Sequence, residues 1–183
     1  MLRIRTVAAG LALAVGVTTA PAALAPAAFA SAGRPAAIGS FHSWHAAERA
    51  AGFGLKRPTR LHGLTRSGLI VVTRCEVTGK LRKRDVFASY GKVQHRFLNI
   101  SQNNSGGPCG NFGEAKRLRT YLIHGARGTL FGVCGMKGER SCHKRNIFLF
   151  LTWRQHHIFY VATSHDERRH VLVNFARSLR AVR

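Results

Sequence analysis

Acidic residues are scarce: 7 Asp and Glu stand against 29 Lys and Arg in 183 residues, a formal charge of +22. So few carboxylates leave little from which to build a general acid–base pair, and Glu76, Asp85 and Glu114 are scattered among turn-like segments. No C-x-x-C spacing is present, which removes the usual zinc signatures, and no H-E-x-x-H or G-x-S-x-G, which removes the common metallohydrolase and serine-hydrolase patterns. Helix-turn-helix, zinc-finger and aromatic RNA-binding signatures are also missing, so sequence-specific nucleic-acid recognition is not expected. There is no internal repeat and no low-complexity run. With 45% apolar residues, these absences exclude a polytopic membrane protein, a collagen-like chain and a multidomain machine.

What is present begins with an address. Arg3 and Arg5 precede an apolar, charge-free stretch over 7–20, and Ala28-Phe29-Ala30 follows Pro21 and Pro26. A positive start, a short apolar stretch and an A-x-A end predict a secretory signal peptide over 1–30. The apolar stretch falls short of the ~20 residues a spanning helix needs, so no transmembrane segment is expected after cleavage. Removing 1–30 takes two arginines and no acid, leaving +20. Residues 31–40 (SAGRPAAIGS) are small and unpatterned and read as a flexible linker. Residues 41–183 are then one secreted domain, long enough for a single core.

Within that domain, 41–54 reads as a short helix. Trp44, Ala47 and Ala51 share a face, and Gly52 and Gly54 stop it. Apolar or β-branched runs at 69–72, 86–90, 97–101, 121–123, 129–133, 146–153 and 157–163 predict strands at hairpin spacing. Leu69-Ile70-Val71-Val72 reads as a buried strand, and 146–153 (NIFLFLTW) as a central strand covered on both faces. Ser164-His165-Asp166-Glu167 fits a capping box opening a last helix, whose stripe is Leu172, Phe175, Ala176 and Leu179. The expected class is α+β: an antiparallel sheet of about seven strands with an N-terminal and a C-terminal helix.

Several segments, in this order, resemble a bacterial domain of unknown function found in extracytoplasmic parts of anti-sigma-factor-like proteins and in secreted or lipid-anchored proteins. They are AAERAAGFGLKRP at 46–58, Leu98-Asn99-Ile100-Ser101-Gln102, Leu151-Thr152-Trp153 and Phe175-Ala176-Arg177-Ser178-Leu179. The resemblance spans 44–180 and implies a sheet-plus-helices domain outside the membrane. It brings no catalytic residues. A second proline soon after the first is usual in that family, and Arg60-Leu61-His62-Gly63 lacks it.

Cys75, Cys109, Cys134 and Cys142 all lie beyond the leader, and a secreted context makes disulfides the default. Four cysteines allow three pairings. Cys134 and Cys142 flank one hairpin-like loop, which favours that pair and leaves Cys75 with Cys109 at one edge of a three-strand meander. No cofactor or metal is expected.

Lysines and arginines cluster in turn-rich stretches: Lys80, Arg82, Lys83 and Arg84; Lys116, Arg117 and Arg119; Lys137, Arg140, Lys144 and Arg145. Such a surface attracts polyanions by counterion release. The expected function is a secreted binding domain contacting an anionic envelope component, lipid or wall polymer, or a partner protein. The alternative is a small secreted basic hydrolase of phosphoesters, for which His156 and His157 with Arg154 are the candidate catalytic group.

Overall fold

Buried and open side chains alternate with period two over 85–91 and 127–133. The computed structural model describes residues 37–75, 83–92, 96–110, 115–133, 148–165 and 167–183. Its elements are β1 (Ala37–Phe41), α1 (Trp44–Ala51), β2 (Lys56–Pro58), β3 (Ile70–Arg74), β4 (Arg84–Gly91), β5 (Phe97–Asn103), β6 (Lys116–Ile123), β7 (Ala126–Val133), β8 (Phe148–Gln155), β9 (Ile158–His165), α2 (Arg169–Arg177) and β10 (Leu179–Ala181). Eight strands form one antiparallel sheet in the order β1-β3-β4-β5-β9-β8-β7-β6, and β2 pairs with β10 as a separate ribbon.

The class is α+β, as the patterning predicts, but the main sheet has eight strands rather than about seven and the helices are not both terminal. β1 precedes α1 and β10 follows α2. β1 arises within the stretch read as linker, and Phe41 closes it instead of opening the helix. Nothing local marks this strand; it is held by its ladder with Ile70–Thr73. α1 itself forms as the spacing requires. Ser43 caps it by accepting from the Ala46 amide (3.2 Å), and Gly52 ends it in the left-handed conformation, φ 74°.

The capping box does not form. Ser164 is buried in β9, paired with Leu98 on one side and Leu149 on the other, and α2 starts at Arg169 with no side-chain cap. Strand pairing on both sides outweighs one capping bond. Glu167 instead takes an ion pair with Arg96, Nη2 to Oε1 2.6 Å.

Two antiparallel units, β3-β4-β5 and β6-β7-β8-β9, join where β5 pairs with β9 from Phe97–His165 to Asn103–Phe159. Both helices lie on one face: α1 against β1, β3 and β4, and α2 against β6, β8 and β9. Beneath them Val72, Val86, Leu98, Ile100, Leu130, Leu151 and Ala162 are fully buried, with Phe175 and Leu172 of α2 above. Trp153 and Tyr160 stack at 5.0 Å, and Tyr90 meets Phe175 edge-on at 5.8 Å. β8 is only partly covered on its second face. Phe150 is buried there, Thr152 is half-buried and Arg154 is exposed. The run at 69–72 is likewise not buried throughout, because Leu69 and Val71 point away from the helices.

The ribbon is tied to the rest by buried Gln102, whose Oε1 accepts from the Lys56 amide (2.8 Å) while its Nε2 donates to the Lys56 carbonyl (2.6 Å). Ser178, at the end of α2, accepts from the amides of Thr59 and Arg60. Cys75 and Cys109 form a disulfide with Cα atoms 5.1 Å apart, pinning the start of the β5–β6 crossover to the end of β3. The Cys134–Cys142 pairing lies outside the described residues. Closing a loop of the Cys75–Cys109 length contributes about 3–4 kcal/mol. A Cys75→Ser/Cys109→Ser variant is expected to lose that much in urea unfolding of the oxidised protein.

On the face away from the helices, Asp85 of β4 accepts from Ser101 Oγ at 2.5 Å. Burial pushes its carboxyl up to about 6, against smaller opposing effects from the Ser101 hydroxyl and the Val86 amide. A raised folded value means that the folded state holds the proton more tightly. The site therefore favours folding below the ordinary carboxyl range, and that benefit is lost as pH rises through about 6. Asp85→Asn is expected to raise the melting temperature at pH 8 and to converge with the parent by pH 4, measured by thermal melts across pH.

Candidate functional site

The basic residues singled out from the sequence do not form one patch. Lys116, Arg117 and Arg119 lie on β6, the outermost strand on one side of the sheet, with Lys116, Arg117 and Arg119 all open to solvent. Their cross-strand partners are Gly132, Phe131 and Leu130, so no acid on the neighbouring strand neutralises them. Arg117 Nη2 donates to Thr120 Oγ1 (3.3 Å), and Arg119 lies 5.7 Å from the Tyr121 ring centroid. Lys83 and Arg84 sit at the start of β4, five strands away, or about 24 Å at ordinary strand spacing. Lys80, Arg82, Lys137, Arg140, Lys144 and Arg145 lie outside the described residues, as does Cys142.

A third cationic group, which the sequence does not single out, gathers at the end of the sheet carrying the β6–β7 and β8–β9 turns. Lys56 Nζ donates to Gln155 Oε1 at 2.6 Å and stands 5.6 Å from the Tyr160 ring centroid. Gln155 Nε2 donates to the His124 carbonyl at 3.1 Å, locking the amide between strand end and turn. Burial lowers the Lys56 ammonium below its usual range, and the charge of Arg180 lowers it further. His124 is lowered chiefly by burial and then by Lys56; its hydrogen bond to the Ala176 backbone opposes this, and Arg180 adds a smaller lowering. Arg180 Nη1 folds back onto the carbonyls of Arg177 and Leu179 at 3.1 and 2.9 Å, and Arg177 Nε reaches the Leu122 carbonyl at 3.1 Å. Cations at this end of α2 suit the negative pole of the helix.

The described carboxylates are engaged elsewhere. Glu48 accepts from the Leu55 amide (2.7 Å), Asp85 from Ser101, and Glu167 from Arg96. Among the described residues, no group of three His, Cys, Asp or Glu is placed to hold a metal ion.

His156 and His157 occupy the two-residue β8–β9 turn with φ of 48° and 65°, both left-handed, and both are exposed. That is the geometry of a type I′ hairpin, in which Asn-Gly is the favoured pair. Arg154 leaves the uncovered face, whereas Gln155 turns to the Lys56 side, so the three candidate catalytic residues share a hairpin end without converging. No family model, curated protein or solved structure matches the chain.

A histidine pair serving only the turn is replaceable. His156→Asn/His157→Gly is expected to fold with equal or higher stability, by up to about 1 kcal/mol, in thermal or urea unfolding. A loss of stability would show that the imidazoles make interactions a turn does not require.

Proposed function

We propose that the protein is a secreted binding domain whose cationic surface holds a phosphate-bearing, anionic component of the cell envelope. The observation that carries this is the exposed Lys116, Arg117 and Arg119 run on an edge strand, with only Gly132, Phe131 and Leu130 opposite it. Exposed cations on a strand whose facing residues carry no acid concentrate polyanions without needing a shaped pocket. Lys83 and Arg84 extend the same chemistry to the far side of the sheet, and Lys56, Arg177 and Arg180 to one end. The shared ligand chemistry is the phosphodiester, whether in a lipid headgroup or in a wall polymer. The Cys75–Cys109 bridge fits an oxidising compartment.

Fluorescence anisotropy with labelled polyphosphate, across a salt series, tests this. The parent should bind with affinity falling steeply with salt. Lys116→Gln/Arg117→Gln/Arg119→Gln should weaken binding and flatten the log–log slope by about 0.7 for each phosphate no longer neutralised. A triple variant that melts like the parent and binds with the same salt slope would sink the proposal.

A further inference from the structure

Arg154 stands directly across from Phe159 of β9, and Phe159 directly across from Asn103 of β5. Their neighbours Trp153 and Tyr160 face the helices, so alternation puts Arg154, Phe159 and Asn103 together on the opposite side of the sheet. Asn103 is fully buried, yet its Nδ2 has no hydrogen-bond partner. A buried donor left in that state costs about 1–3 kcal/mol. The chain that leaves Asn103 turns toward the guanidinium. Gly106 is exposed with φ 83°, and a Cβ there would stand 3.9 Å from Arg154 Nη2. At Gly107 a Cβ would meet nothing within 4 Å, so space is open beside the loop. The Cys75–Cys109 bridge holds the far end of that loop, and Cys109 Sγ lies 3.7 Å from Ser105 Oγ.

Donors and acceptors are unequally used here. Asn103 Oδ1 accepts from the Ser105 amide (3.2 Å) and lies 2.5 Å from Ser105 Oγ. That hydroxyl is also 2.6 Å from the Gly107 carbonyl and accepts from the Gly107 amide (3.3 Å). Asp85, across from Asn103 on the side away from Arg154, is engaged with Ser101. The acceptors are therefore occupied. Among the described residues, the Arg154 guanidinium, the Gly106 amide and Asn103 Nδ2 make no hydrogen bond. Unused donors beside an open space, one of them a guanidinium, match a ligand that only accepts, and so an oxyanion. These donors come from a strand, a loop and the sheet floor. A tetrahedral phosphoryl group presents oxygens in that many directions, whereas a carboxylate presents two in one plane.

We infer that Arg154, the Gly106 amide and Asn103 Nδ2 form a seat for one phosphoryl group. This rests on the proposal that the partner bears phosphate, and it gives that phosphate a discrete place. The Lys116, Arg117 and Arg119 run lies two strands away on β6 and attracts a polyanion through charge alone. The seat adds directed hydrogen bonds, which a loop already fixed by a disulfide offers at little ordering cost.

Proton–nitrogen NMR spectra of the full chain, titrated with inorganic phosphate against chloride at constant ionic strength, read the site directly. The Gly106 amide and the Asn103 side-chain amide should move along one shared saturation curve. Arg154→Gln should weaken that saturation by about tenfold or more and melt like the parent, because the residue is exposed. Lys116→Gln/Arg117→Gln/Arg119→Gln removes more charge, yet should leave the phosphate curve unchanged while weakening polyphosphate. Phosphatidylglycerol vesicles and soluble poly(glycerol phosphate) carry the same group. Displacement of phosphate by one of them supports the seat and names its source, and displacement by neither counts against it. Shifts that grow linearly without saturating, a Gly106 amide that stays still, or an Arg154→Gln protein that saturates like the parent overturn the inference. If the β6 variant loses polyphosphate while Gly106 does not respond to phosphate, this inference falls and the broader proposal stands. If Gly106 saturates while the β6 variant binds polyphosphate as the parent does, the seat stands and the role of the β6 run falls.

Discussion

The pairing of β5 with β9 is the constraint on which the rest depends. It joins two antiparallel units that are otherwise independent ladders, and it brings Leu98 and Ile100 beside Ala162 and Ser164 in the middle of one sheet. Only a sheet of that width gives two short helices a common face to cover, with α1 seated toward β1 and α2 toward β6. Gln102, on the same strand, then reaches out of the ladder to hold the Lys56 backbone, so the small ribbon depends on the junction too. A buried amide that satisfies both backbone groups of another residue is a strong positional device, since either group left alone would be costly.

Charge is distributed by that architecture rather than gathered by it. Among the described residues, edge strands and turns carry most of the lysines and arginines, and positive edge residues also discourage pairing with further copies of the chain. The described carboxylates are consumed by structure: Glu48 on the Leu55 amide, Asp85 on Ser101, Glu167 on Arg96. Among the described residues, none of these carboxylates faces the Lys116, Arg117 and Arg119 run, and its proposed use as a binding surface starts from that arrangement.

Elements with a strong local signature were legible. Trp44, Ala47 and Ala51 with the Gly52 stop mark α1, and the apolar runs mark β3, β4, β5, β7, β8 and β9. β1, β2 and β10 were not, because AIGSF, KRP and LRA carry no apolar or β-branched run and each is made by its partner strand. The capping box at Ser164 was overridden by ladders on both sides of β9. Strand order was also hidden, since hairpin spacing says nothing about where a crossover lands. Cys75 with Cys109 was legible through the meander geometry. Of the candidate site, the basic run at 116–119 was visible but read as turn-rich sequence before a strand at 121–123, whereas it lies inside β6; Lys56 sits in sequence as an ordinary lysine and gains its setting only from Gln155, Tyr160 and His124. Leu69 shows the converse limit: an apolar run reveals a strand, but not which of its faces is left open.

The β5–β6 crossover gives assembly a direction. Cys75 and Cys109 both belong to the part of the chain that ends before β6, so their bridge joins segments of the first unit and does not wait for the second. β5, in contrast, keeps one unpaired edge until residues 158–165 arrive from beyond three further strands. The last step of sheet formation is then a non-local closure, whose speed is set by chain search and not by any local turn. An oxidised first unit meets that step with its crossover already anchored, so fewer conformations separate the two half-sheets from each other.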